Sequence, residues 1–186
     1  MRFRFTVVLG ALALLGAVLA LQPSSALAEK ASTIEKHSRD ALALLLESSP
    51  EAKGLEPQAN GILVFDDIVK GGLIIGGQYG EGALLKKDAV AGYYSTAAVS
   101  YGLQAGLQTF GYAVFFVGED ALKYLDNSDG WELGTAPNVV IVDKGAAGSL
   151  SSTSLRDGVY IFFSDQKGLM AGIGIQGTKI TKIRPD

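Results

Sequence analysis

The sequence predicts an α+β fold: a strongly curved, Gly-rich antiparallel sheet, or a small barrel-like sheet, with N-terminal helices and one short inserted helix. Three observations predict it. Apolar residues recur at helical spacing between residues 32 and 49. From Gly61 onward the texture changes to short runs rich in Val, Ile, Tyr and Phe, punctuated by Gly. One acid-led helical stretch after Gly118 interrupts those runs.

Before these elements stands Met1 to Ala28. Arg2 and Arg4 supply a basic start, Phe5 to Leu21 is an apolar run broken only by Thr6, Gly10 and Gly16, and Ala26-Leu27-Ala28 is a small-x-small cleavage site. Residues 1–28 therefore read as an export signal of the general secretory type, with residues 29–186 as a single mature domain, periplasmic or secreted. The alternative is one membrane anchor, since the apolar run approaches the lower limit for spanning a bilayer. Arg-x-Arg is not a twin-Arg pair, and with no Cys in the chain a lipid-anchored amino terminus is not available.

In the mature segment, Ser32-Thr33-Ile34-Glu35 has the capping-box pattern and predicts a helix from about Thr33 to Glu47. Ile34, Ser38, Ala41, Leu42 and Leu45 share one face, while Glu35 with Arg39 and Lys36 with Asp40 form opposite-charge pairs four apart. Pro50 then opens a second short helix ending near Gly54. Strands are expected over Ile62 to Phe65, Gly72 to Tyr79, Ala83 to Lys86, Val90 to Val99, Leu103 to Val117, Val139 to Val142, Val159 to Ser164, Leu169 to Ile175 and Lys179 to Ile183. In the long run Leu103 to Val117, alternation gives way at Phe110 to apolar residues on both sides, so that strand begins half-exposed and ends buried. The inserted helix runs from Gly118 to Leu125, with Asp126 to Gly130 as its closing turn. Dense glycine within strands implies bends or the close approach of another backbone.

Composition excludes several functions. The chain has 186 residues, no Cys and one His. Without the leader, 14 basic residues face 19 acidic ones, a net −5 that argues against bulk nucleic-acid binding. An exported domain without disulfides depends on its core, and a chain of this length can bury one. His37 has no Cys partner and no Ser in a nucleophile elbow, so no triad assembles. Neither Gly71 to Gly77 nor Gly168 to Gly177 has dinucleotide or phosphate-loop spacing. Asp126 to Glu132 has oxygen donors but not the calcium-loop spacing, and Asp66-Asp67 reads as a strand end. No enzyme, cofactor or metal is expected. An outer-membrane barrel fails on length, because eight crossings of about ten residues each would need nearly everything after Gly61.

Several ordered blocks resemble a known family. They are Gly61-Ile62-Leu63-Val64-Phe65, Val69-Lys70-Gly71-Gly72, Gly76-Gly77-Gln78-Tyr79-Gly80-Glu81-Gly82, Gly92-Tyr93-Tyr94-Ser95-Thr96, Tyr101 to Gly106, Ser128 to Gly134, Lys167 to Ile173 and Gln176-Gly177. Together they resemble the SYLF domain, also called Ysc84 or DUF500, over essentially Ser32 to Ile183. The resemblance implies a non-enzymatic module that binds phospholipid or a membrane surface, as bacterial exported members are described. Actin regulation, attributed to eukaryotic members, is not expected to transfer to an exported protein of a bacterium-like cell, where no actin is met.

In eukaryotic members a basic amphipathic amino-terminal segment is credited with headgroup binding. The corresponding cations here are Lys30, Lys36 and Arg39, with Lys70 as a further candidate lipid-headgroup residue, but Glu29, Glu35 and Asp40 offset the first three. Acyl contacts are then expected to supply most of the affinity, at about 0.8 kcal/mol per buried methylene. The competing expectation is a cell-envelope structural or protein-interaction module without a lipid ligand, partnered by an envelope protein. Lipid carriage predicts a hydrophobic cavity; an interaction module predicts a dry core and an exposed apolar patch.

Overall fold

The computed structural model describes residues 29–72, 75–87, 89–101, 106–127, 131–132, 139–142, 158–168 and 177–186. The leader and the expected strand Leu169 to Ile175 lie outside these, as does most of the closing turn after the inserted helix.

Helix α1 spans Ala31–Ser48 and α2 spans Pro50–Leu55, followed by a 3-10 turn at Glu56–Gln58. The apolar face read from the sequence is the buried one, with Ile34, Ser38, Ala41 and Leu45 turned inward. The capping box does not form. The helix begins earlier, its N-cap is Lys30 with no side-chain cap, and Ser32 and Thr33 lie inside the first turn. The first free amide is satisfied from elsewhere: Ala31 N–H donates to the Asp186 carbonyl at 3.1 Å. Glu35 turns instead to Arg39. Ser49 caps α2, accepting from the Ala52 amide at 3.2 Å, and Pro50 occupies the first turn as expected.

Among the described residues eight strands follow: β1 (Ala59–Gly72), β2 (Ile75–Lys86), β3 (Ala89–Tyr101), β4 (Gly106–Val117), β5 (Trp131–Glu132), β6 (Val139–Val142), β7 (Gly158–Gly168) and β8 (Lys179–Ile183). The two strands expected over residues 72–86 are one, β2. The strands form a single sheet in the order β5-β8-β3-β2-β1-β4-β7-β6. Its end strands differ, so among the described residues the sheet is open and the barrel alternative is not realised. It is also mixed: β6 pairs with β7 in parallel. Residues 143–157 give the chain length that a parallel crossover requires.

Asp66-Asp67 does not end a strand. It sits within β1 where pairing to β2 shifts register between Phe65 and Val69, a bulge that bends the sheet. The neighbouring strand allows the bend only because it carries glycine. A Cβ on Gly82 would run into the Val64 carbonyl oxygen and lie 2.7 Å from the Phe65 ring. Gly80 and Gly82 alternate with Ala83 and so face away from α1; the first helix rests on Val64 and Ala83, not on a bare glycine face.

Alternation gives the sheet two buried sides. On the helix side, Ile62, Val64, Ala83, Leu85, Ala113, Phe115, Tyr160 and Phe162 pack with Ile34, Ala41, Leu45, Ala52 and Leu55. On the other side, Leu63, Phe65, Ile68, Leu84, Phe110, Tyr112, Phe116 and Ile161 pack with Leu122 and Leu125 of α3 (Glu119–Asn127). Gly118, at φ 91°, turns β4 into α3 in a conformation that favours glycine. The buried Tyr112 hydroxyl lies 2.7 Å from Thr96 Oγ1, and burial raises its pKa.

Candidate functional site

Among the described residues, the helix side of the sheet is covered at one end only. The β strands are far longer than the footprint of α1 and α2, and β4 passes from half-exposed to buried as its sequence foretold, but with the sides exchanged at its start. Leu107 is 67% exposed and Gln108 is buried, whereas every residue from Phe110 to Val117 is buried. Beyond the helix footprint the same face carries Val69 on β1, Ile75 and Tyr79 on β2, Val99 on β3 and Leu107 on β4. Registers bind these into one patch, since Val69 opposes Tyr79 and Thr109, Gly71 opposes Gly77 and Leu107, and Gly77 opposes Val99. Their exposures are 46% for Val69, 63% for Ile75, 50% for Tyr79 and 64% for Val99. Single exposed apolar residues need no explanation; a contiguous set across four strands marks a contact surface.

The last described residues of β1 and β3 and the first of β2 and β4 lie together at one end of the sheet, because Gly72 pairs with Gly106 and Ile75 with Tyr101. In sequence, neither residues 71–80 nor residues 89–118 contain a charged side chain. The patch therefore runs without charge to the end of the sheet.

Charge begins at the rim. The Tyr79 hydroxyl donates to Glu81 Oε1 at 2.6 Å, and the Glu29 amide donates to Glu81 Oε2 at 3.2 Å. Partial burial, reinforced by that carboxylate, pushes the Tyr79 pKa up to about 12. On the far side, Lys179 of β8 opposes Ala97, which opposes Tyr79, so a cation lies in the same cross-strand row; Glu132 of β5 in turn opposes Lys179. The rim is thus mixed in sign.

The headgroup candidates do not gather on this surface. Lys30 is exposed immediately before α1. Lys36 pairs with Asp40 at 2.6 Å and Arg39 with Glu35 at 2.9 Å, each along the helix, and the Asp40 hydrogen bond raises the Lys36 pKa. Lys70 is on the opposite side of the sheet and only 8% exposed, its cross-strand neighbours being the buried Gln78 and Gln108. Gln78 Nε2 donates to Thr178 Oγ1 at 3.4 Å. Lys70 is thus part of a polar row buried behind the patch. The other sequence candidate, His37, has Nδ1 at 3.3 Å from Glu29 Oε1. Among the described residues no group of three or more His, Cys, Asp or Glu could hold a metal, and no helix is long and apolar enough to cross a membrane.

The patch residues and Lys179 were not singled out from the sequence. Their signal was the missing charge in residues 71–80 and 89–118, which alone does not distinguish a buried strand from an exposed apolar one.

Comparison with known proteins gives one family. The model of the Ysc84 family, described as Las17-binding protein actin regulator, matches residues 97–185. This span runs from late β3 to β8; α1, α2, β1 and β2 precede it. No curated protein matches the chain.

Proposed function

From the match of the Ysc84, or SYLF, family model to residues 97–185, we propose that the chain is an exported, non-enzymatic lipid-binding protein acting at a membrane surface. The observation that carries this reading is the uncovered apolar end of the sheet, Val69, Ile75, Tyr79, Val99 and Leu107. It changes how lipid is met. An acyl chain in an interior groove was the expectation; the surface instead suits shallow insertion of the sheet end among lipid chains, with Tyr79 at headgroup level, where its ring and hydroxyl find both environments.

Magnitudes favour insertion over charge. Full burial of a Val, Leu or Ile side chain contributes about 1.5–3 kcal/mol, whereas a cation at an anionic surface contributes roughly 1 kcal/mol. Lys36 and Arg39 are already engaged with acids on α1, which lowers even that. Binding then depends little on anionic lipid or on salt.

A second reading has its own support. An exposed apolar patch with a mixed-charge rim is also what a protein-interaction module presents, and the family description names a protein partner. Flotation with vesicles separates the two. The processed protein should float with neutral and anionic phosphatidylcholine-based vesicles alike and remain bound at moderate salt. Val99→Asp with Leu107→Asp should reduce flotation at least tenfold while leaving thermal stability nearly unchanged. No flotation with either vesicle would remove the membrane reading and leave the interaction module.

A further inference from the structure

We infer that removal of the leader creates a structural ion pair: the new α-ammonium of Glu29 binds the Glu81 carboxylate at the edge of the apolar patch. The inference uses the cleavage site read after Ala28 and the position of one nitrogen. Glu29 N is 3.2 Å from Glu81 Oε2. In the uncleaved chain that atom is a neutral peptide N–H. Hydrolysis adds water across the Ala28–Glu29 bond, leaving a carboxylate on Ala28 and an amine on Glu29 that is protonated near neutral pH. The hydrogen bond from a neutral amide to the carboxylate becomes an ion pair at the same position.

The surroundings are built to receive a cation there. Glu81 Oε1 is held by the Tyr79 hydroxyl at 2.6 Å, so the carboxylate is oriented before the terminus arrives. The Glu29 side chain is drawn aside by His37 Nδ1 at 3.3 Å. Lys30, the next residue, caps α1 only through its backbone, its carbonyl accepting from Thr33 and Ile34 at 2.8 and 3.1 Å. The pair thus fixes the start of α1 to β2 at the boundary between the covered and uncovered parts of the sheet. Export processing would then complete the domain rather than merely release it. This inference does not depend on lipid binding, and its test does not use lipid.

The full-length chain is exported by a cell and the processed protein isolated, alongside a version with Gly-Ser inserted between Ala28 and Glu29, so that processing leaves two extra residues. Each is also made with Glu81→Gln. Intact mass should place the natural terminus at Glu29. The insertion should lower the folding equilibrium constant about fivefold with Glu81 present, and hardly at all with Glu81→Gln. In the natural protein the α-amine should titrate above its ordinary range of about 7.7–8.0, read by its labelling rate with an amine reagent across pH. A terminus elsewhere, an insertion effect that is absent or equal in the two backgrounds, or an α-amine of ordinary pKa would each overturn the inference. The labelling measurement stands even if the Glu81→Gln proteins fold poorly.

Discussion

One face of one sheet has two fates in this protein. Under α1 and α2 it is close-packed: Val64, Ala83 and Phe115 are at most 2% exposed, and Phe115 meets Phe162 edge-on with ring centroids 5.0 Å apart. A few residues further along the same strands, Val69, Ile75, Val99 and Leu107 have similar side chains and face solvent. The residue types hardly differ, so the contrast comes from what covers them. Apolar groups under the helices stabilise the fold; the same groups beyond them face solvent and, on the proposed function, are what a membrane would cover.

The largest effect should come from the covered end. Phe115→Ala removes a ring from a site with no room to collapse and should cost about 3–5 kcal/mol in urea unfolding. Leu107→Ala, eight positions earlier on the same strand, should change stability by less than about 0.5 kcal/mol, because that side chain is mostly in water already. Comparable losses at both sites would show that something covers Leu107 in solution, and the contrast between the two ends would fail.

A smaller effect probes how the cover is attached. Ser38 is a polar residue on the buried face of α1, and its hydroxyl reaches the sheet backbone, donating to the Val64 carbonyl at 3.0 Å and accepting from the Ala83 amide at 3.1 Å. It joins the paired residues of β1 and β2 just before the bulge. Ser38→Ala leaves both backbone groups short of a partner and should cost about 1–3 kcal/mol, read as a shift in the urea midpoint. A loss below half a kcal/mol would mean that water or a backbone adjustment replaces the hydroxyl.

Much of this division was legible in the sequence and one part was not. The apolar stripe of α1, its two charge pairs, Pro50 at the start of α2, and the change of β4 from half-exposed to buried all follow from local periodicity, and the structure shows each. The capping box failed because the helix starts at Ala31, whose amide is met by the distant Asp186, so that Ser32 already lies inside the first turn and Thr33 and Ile34 donate to the Lys30 carbonyl. The open, mixed sheet depends on which strands pair, and β6 beside β7 in parallel leaves no local trace. The apolar patch was missed for a related reason. Val99 and Leu107 look like core residues in sequence, and only the position of α1 decides that they are not. Lys70 shows the converse, since a lysine between Val69 and Gly71 reads as a surface cation until alternation turns it to the buried side.

The finest test concerns the boundary between the two ends. Tyr79 is half-exposed, and its hydroxyl is bound to Glu81; partial burial and that bond together hold its pKa up to about 12, against 10.0 ordinarily. A tyrosine whose folded pKa is raised favours folding while it is neutral. That contribution is complete below pH 10 and is lost as pH climbs through 12. Comparing the natural protein with Tyr79→Phe isolates it, because the buried Tyr112, also raised, is present in both and cancels. The difference in urea midpoint between the two should be constant from pH 8 to pH 10 and then shift against the natural protein as Tyr79 ionises beside the Glu81 carboxylate, over roughly that two-unit window. A difference that stays flat through pH 12 would mean the hydroxyl does not face Glu81 in solution, and the polar rim would no longer mark where the covered sheet ends and the contact surface begins.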